Sequence, residues 1–552
     1  MLKNYRFKLN YEVNGQLHQS INEENEHYSL QTNTLSKERL VMSIIPKTKL
    51  MLKSCSITYD NKFNEKAKIY PNGYQSWTYT PEYIKADKME GLKPIGKLGY
   101  KLTSIFGDYQ FKDYPKVSGV FHGFTYAYIK VDKEVTLIGS LSEKEGYTIL
   151  NFDMNNNIIE IEKDVQGLSI EKEYKIFDLA LFFGGYDEVF DKYFIMMGVG
   201  KPKIKHMSGY TSWYNYFGKI TEEILIRDLK GMDRVKGYAG IFQIDDGYQS
   251  KVGDWLTLKD DKFPNGMKYL ADAIHEKGLL AGLWLAPFSC AKSSKITAEH
   301  PDWLVKDSKG KPVIGSIAWG GAYIIDFYVP EAAAYIKKVF NEVLNVWGFD
   351  LVKLDFLYSE CLIPRHNKTR GTIMCEAMDF LRECVGDKLL LGCGVPLGPS
   401  FGKVDLCRIS CDVDLSYKNR LYFYLGNREI VNTHSAINNS IFRRHLDGRV
   451  FCNDPDVFFL RNDRLKFTKE QKLLLAKVNN MFGNVLFVSD DIGMYDDNQL
   501  DEVKKAFTES KAKIISADYT DKRNLIIIYI ENKQKYKWSI NIITGHDEIE
   551  AI

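Results

Sequence analysis

Acidic residues collect where hydrophobic runs end. They do so at Gln243-Ile244-Asp245-Asp246-Gly247-Tyr248, Lys353-Leu354-Asp355, Arg408-Ile409-Ser410-Cys411-Asp412 and Asn453-Asp454-Pro455-Asp456. A lone aspartate at a strand end is an ordinary turn or helix-cap residue, but capping is a poor account of the whole set. Side chains two apart on a strand share a face, so Lys353 and Asp355 point one way and Val352, Leu354 and Phe356 the other. A cation beside a carboxylate favours its ionised form, which suits a nucleophile. By the same parity Arg408, Ser410 and Asp412 share a face. Two readings fit these residues: carboxylates that do chemistry, or buried ion pairs that stabilise the interior.

Chemistry would need a scaffold that gathers strand ends. Candidate strands lie near Tyr210, Phe242, Leu283, Val352, Leu390, Arg408, Phe451 and Leu486, with helical stretches between them. Pro330 opens one helix whose apolar residues Ile336, Val339, Phe340, Val343 and Trp347 fall three and four apart, and Gly348 is its stop. Another runs from Met267 to Gly278 and hands over to Leu279-Leu280-Ala281-Gly282-Leu283-Trp284-Leu285. Such units over about 300 residues fit a (β/α)8 TIM barrel, which places catalytic groups at the C-terminal ends of its strands. Periodicity does not show closure, so a doubly wound sheet stands as the alternative. Alternating segments such as Phe124-Thr125-Tyr126-Ala127-Tyr128-Ile129-Lys130-Val131 predict an N-terminal antiparallel β-sandwich. The tail, with Asn524-Leu525-Ile526-Ile527-Ile528-Tyr529-Ile530, predicts a small C-terminal antiparallel β domain. The expected division of this α/β chain is 1–192 for the sandwich, 200–511 for the barrel and 512–552 for the C-terminal domain.

The composition excludes several other roles. Lys and Arg total 74 against 72 Asp and Glu, a formal net charge of +2, so no basic field recommends nucleic acid or an anionic membrane as partner. With 45% hydrophobic and 13% aromatic residues in 552, the chain is not disordered. Nine cysteines, an odd number without a CxxC pair, fit neither a disulfide scaffold nor a zinc ribbon. Met1-Leu2-Lys3-Asn4-Tyr5-Arg6-Phe7-Lys8 has charges where a signal peptide's apolar region would begin, and no apolar run reaches about 18 residues, so a cytoplasmic protein is expected. Gly392-Cys393-Gly394-Val395-Pro396-Leu397-Gly398 lacks dinucleotide-loop spacing, and neither a Walker A loop nor HExxH occurs; no cofactor and no metal are expected.

Taken in order, Asp245-Asp246-Gly247-Tyr248, Gly253-Asp254-Trp255-Leu256, Gly282-Leu283-Trp284-Leu285-Ala286-Pro287, Lys353-Leu354-Asp355-Phe356, Gly392-Cys393-Gly394 and Arg408-Ile409-Ser410-Cys411-Asp412 resemble the motifs of glycoside hydrolase family 36, the α-galactosidases, and its compact bacterial members above all. The resemblance implies that Asp355 is the nucleophile and Asp412 the acid/base. It also implies that Asp245 and Asp246 bond O4 and O6 of galactose and that Lys353 and Arg408 hold ring hydroxyls. Cys393 would line the C2 side, its flanking glycines letting the backbone come close to the sugar. Trp213, Tyr214 and Trp255 would wall the pocket, and Asn72-Gly73-Tyr74-Gln75-Ser76-Trp77 would be a sandwich loop that contributes Trp77. Without the resemblance Trp77 reads as core. Asn453-Asp454-Pro455-Asp456 matches more loosely and falls outside the direct contacts.

The activity implied is that of a retaining exo-α-galactosidase acting on melibiose- or raffinose-type oligosaccharides by double displacement. This needs two carboxyls about 5 to 5.5 Å apart, one ionised and one protonated. Limited solvation and the charge of Asp355 would raise the pKa of Asp412; Asp414, on the same parity, is the competing proton donor. An α-N-acetylgalactosaminidase or an α-galactosyl transferase of the raffinose-synthase type would use the same pair. A non-catalytic carbohydrate-binding protein is the alternative outside enzymes. The expected partner is an α-galactoside, with no signature of a particular oligomeric state.

Overall fold

The alternating N-terminal segments pair into two antiparallel sheets in the computed structural model. It describes residues 4–93, 103–114, 116–417 and 428–552; residues 1–3, at the start of the stretch read for an export signal, lie outside them. One sheet runs Gln16–Ser20, Arg6–Val13, Leu50–Asp60, Ile158–Lys163, Thr148–Asp153, Val120–Phe124, with Ser169–Ile170 also pairing Leu50–Asp60. The other runs Tyr28–Ser36, Arg39–Pro46, Tyr174–Gly184, Glu134–Ser140, Tyr126–Val131, Lys68–Pro71. Leu9, Ile57, Ile161, Met42 and Leu179 fill the space between them. Period two also explains why the second sheet is buried on both faces. Ala127 and Ile129 join the sandwich core, whereas Tyr126 and Tyr128 pack with the helix Tyr186–Met197 and the barrel.

The barrel strands are Met207–Thr211, Ile241–Ile244, Leu280–Leu285, Leu351–Leu354, Leu389–Gly392, Leu406–Arg408, a seventh in two pieces, Cys452–Asp454 and Val457–Phe458, and Val485–Val488. All pair in parallel. Closure, which periodicity left open, comes through the split strand. Cys452–Asp454 pairs with the sixth strand, Val457–Phe458 with the eighth, and the eighth with the first. The interruption falls at Pro455 and at Asp456, whose φ is +79°. A closed ring of this kind rules out the doubly wound sheet.

The helix that Pro330 opens runs Pro330–Asn341 and continues into a π-helical turn, Glu342–Val346, before Gly348 at φ +88° ends it. Between the third and fourth strands stands an antiparallel ribbon of Ser289–Ala291, Ala322–Ile324 and Ile314–Ser316, which the strand count did not anticipate. Four antiparallel strands from Lys513–Tyr519 to Asp547–Ala551 close the chain. Lys68 and Lys130 of the sandwich reach Asp518 of that sheet at 2.7 and 3.0 Å. No helix among the described residues is long and apolar enough to cross a membrane.

A buried ion pair ties sandwich to barrel. Arg370, at the start of the helix Arg370–Val385, donates from Nε and Nη2 to both oxygens of Asp164 at 2.9 and 2.8 Å, and its guanidinium lies 3.6 Å over the Phe111 ring. Removing one partner strands the other charge, so Arg370→Ala should lower stability by about 3 kcal/mol in urea denaturation. The apolar double variant Asp164→Leu/Arg370→Met should recover most of that loss.

Candidate active site

The ends of the second, third, fourth and sixth strands open into one cavity of about 550 Å³. Asp245, Asp246, Trp284, Lys353 and Asp355 form its floor, none more than 9% exposed. Lys353 Nζ donates to Asp245 Oδ2 at 2.8 Å, so the cation expected beside Asp355 is paired with Asp245 instead. Asp355 finds its donors elsewhere. Trp284 Nε1 donates to Oδ2 at 3.1 Å and the Phe356 N–H to Oδ1 at 2.8 Å. Phe356 adopts φ +56°, a strained conformation for a residue with a Cβ, of the kind that clusters at functional sites. Burial raises the Asp355 pKa against the Lys353 charge and the Trp284 bond, and the charge of Asp412 adds to the rise. Asp246 is likewise raised by burial while accepting from Trp319 Nε1 at 2.9 Å and Gln249 Nε2 at 2.6 Å.

The resemblance implied that Arg408 holds ring hydroxyls, but it does not line this cavity; it stands behind it, 3% exposed, among three carboxylates. Its nitrogens reach Asp412 at 2.7 Å, Asp456 at 2.9 Å and Asp454 at 3.2 Å. Asp456 also accepts from the Tyr214 hydroxyl and the Val413 N–H, and burial raises its pKa despite the Arg408 charge. Asp412 alone of the three faces the cavity, with about a third of its side chain (34%) open. Asp414, the competing donor, turns into its own loop, where its Oδ1 accepts the Ser416 N–H at 3.2 Å.

The sandwich loop at residues 72–77 is fastened to the barrel by its backbone. The Ser76 N–H donates to Val395 O at 2.9 Å and the Leu397 N–H to Tyr74 O at 3.3 Å. Arg443, fully buried, donates to the carbonyls of Ser76, Gln75 and Ile409 and to Thr80 Oγ1. Trp77 is thereby pressed on the end of the fifth strand, its Nε1 donating to Cys393 Sγ at 3.4 Å. Burial pushes the Cys393 thiol up, so it keeps a proton. Cys393 therefore sits behind Trp77 rather than lining the cavity. Its neighbouring glycines make room for side chains and not for a ligand. A Cβ on Gly394, at φ +53°, would stand 2.8 Å from Trp77 Cζ2, and one on Gly392 would stand 3.2 Å from Val395 and Val404.

Of the residues singled out in the sequence, Trp77, Trp213, Asp245, Asp246, Lys353, Asp355 and Asp412 line the cavity. Tyr214, bonded to Asp456, and Trp255, edge-on to Trp284 with ring centres 5.8 Å apart, join Cys393 and Arg408 in the layer behind. Trp284, Trp319 and Phe356 were missed as site residues. Trp284 and Phe356 lay inside recognised motifs, whereas Trp319 sits on the unanticipated ribbon. Asp254 accepts the N–H groups of Lys295 and Ile296 at the start of the helix Lys295–Glu299 and lies outside the cavity lining.

Arg408→Met should leave Asp412, Asp454 and Asp456 unbalanced and cost 3 kcal/mol or more, roughly, at neutral pH. Burial already raises the Asp456 pKa against the Arg408 charge; without that charge it would rise further, so the folded variant would hold an extra proton and lose stability as pH rises. The deficit in urea denaturation should accordingly be larger at pH 8 than at pH 5.

Residues 228–372 match the Melibiase family model. Curated relatives include "A type blood alpha-D-galactosamine galactosaminidase" of Flavonifractor plautii, 38% identical over 141 residues, and "Alpha-galactosidase Mel36A" of Lactobacillus acidophilus, 32% identical over 122 residues. These alignments cover 23% and 21% of this chain but only 13% and 16% of those relatives' own lengths. Among solved structures, the α-galactosidase TtGalA of Thermus thermophilus, in complex with p-nitrophenyl α-D-galactopyranoside, superimposes with a TM-score of 0.72 at 22% identity, covering 94% of this chain and 100% of that one. The α-galactosidase AgaA of Geobacillus stearothermophilus does so with a TM-score of 0.63 at 11% identity, covering 97% and 81%. At such identities the likeness carries the fold, the same closed barrel with an N-terminal sandwich. Residues 228–372 are thus similar to the Melibiase family, and the fold around them is the one that the solved α-galactosidase structures share.

Proposed function

We propose that the chain is a retaining α-galactosidase that releases terminal α-linked galactose, with Asp355 as nucleophile and Asp412 as acid/base. The observation that carries this is one cavity taking in both carboxyls, one nearly sealed from water and the other a third open. Asp355 attacks the anomeric carbon while Asp412 hands its proton to the departing oxygen; Asp412 then takes a proton from water, which breaks the galactosyl ester and restores Asp355. The bonds from Trp284 and the Phe356 N–H favour the ionised Asp355 that the first step consumes, working against the effect of burial. Asp412, open to solvent, can exchange its proton between steps. Asp245, Asp246 and Lys353 offer charged partners to ring hydroxyls from the floor, and Trp77 and Trp213 offer flat apolar faces to the sugar's C–H side.

Asp355→Ala should lower turnover of an aryl α-galactoside by more than about a thousandfold. Added azide should restore it and yield β-galactosyl azide; an α-configured product would assign the roles the other way. Asp412→Ala should slow substrates with poor leaving groups far more than activated aryl ones, because protonation of the leaving oxygen is what is lost. A match to an α-D-galactosamine galactosaminidase makes the aryl α-D-galactosaminide the control. Comparable kcat/KM on the two sugars would move the assignment to that activity.

A further inference from the structure

Between the floor of the cavity and its mouth, exposure and apolar character rise together. The floor is buried and charged. The mouth is formed by Phe106, Ile317, Ala318, Trp319, Ile430 and Val431, all partly or largely open to water, Ile317 at 41%. Apolar side chains ringing an opening in this way gain most when an apolar group covers them.

Both halves of the ring are fixed in place. On one side the Ala318 N–H donates to Ser316 Oγ at 3.1 Å and Trp319 Nε1 to Asp246 at 2.9 Å. On the other, Arg428 donates to Tyr79 O at 2.8 Å and to the Tyr114 hydroxyl at 2.9 Å, and the Asn432 N–H donates to Asp412 O at 2.9 Å. Each half is thus bonded to an aspartate of the cavity. Among the described residues, the polar groups outside the floor are the indole of Trp213, Thr103, Asp412 and Glu429, and the Glu429 carboxyl is buried against Thr78. A second sugar ring would bring several hydroxyls against aliphatic carbon there, and burying a hydroxyl without a partner is unfavourable.

We propose that this collar is an aglycone site for an apolar group. On the galactosidase reading, on which this rests, the preferred substrates are α-galactosides of apolar alcohols rather than of a second sugar. The test is kcat/KM along methyl, butyl and octyl α-galactosides, with melibiose for comparison. Each of the first few methylenes should raise kcat/KM by about threefold, and melibiose should fall below the butyl compound. Ile430→Asn should narrow the octyl-to-methyl ratio by about tenfold, with the methyl rate showing that the variant is folded. The same series titrated against Asp355→Asn by tryptophan fluorescence reads the collar without turnover. Binding that tightens with chain length while no compound is hydrolysed would sink the galactosidase reading and keep the collar. An octyl-to-methyl ratio near one in both measurements, or melibiose outrunning butyl galactoside, would overturn the collar.

Discussion

A guanidinium with almost no access to water needs acceptors or counter-charges placed against it, and Arg408 has three carboxylates. One cation cannot fully balance three anions. The protein manages the excess by unequal burial: Asp454 and Asp456 are sealed, a phenol and a backbone N–H are added at Asp456, and Asp412 is left with an open side chain. The one member left open is thus the one that faces the cavity. The strand order, the seventh strand's interruption and the position of Tyr214 all serve that arrangement, since each brings a ligand of Arg408 or of its partners to the same point.

The opposite wall of the cavity depends on a contact between sandwich and barrel. Arg443 fastens the sandwich loop to the barrel, and the loop presses Trp77 on Cys393. The sandwich therefore contributes a wall to the cavity that holds the buried carboxyl. Gly394 shows how close the fit is, because a single added carbon would collide with the Trp77 ring.

Much of this is legible in the sequence, and what is not has physical causes. Strand-end acids and the helix that Pro330 opens are local patterns, and they mark the barrel and its two carboxyls. Parity places Lys353 and Asp355 on one face but says nothing about which carboxylate the ammonium chooses, because Asp245 arrives from another strand. The same blindness hides the difference between lining a cavity and standing behind it. Cys393, Arg408, Tyr214 and Trp255 carry motif resemblance as strongly as their neighbours, yet lie one layer back. Trp319 escapes notice because its ribbon strands, Ser289–Ala291, Ala322–Ile324 and Ile314–Ser316, are too short to show a period.

The break in the seventh strand means that the barrel closes along a seam rather than a continuous strand. Asp454 and Asp456 flank Pro455 at that seam, and both carboxylates project onto Arg408 of the neighbouring sixth strand. The last joint of the ring and the neutralisation of its buried charge are consequently the same event. A chain that docked this strand out of register would leave Arg408 with Asp412 alone and two aspartates facing no cation. Misassembly is thereby penalised electrostatically at the point where a cylinder of parallel strands has the fewest other means of detecting it.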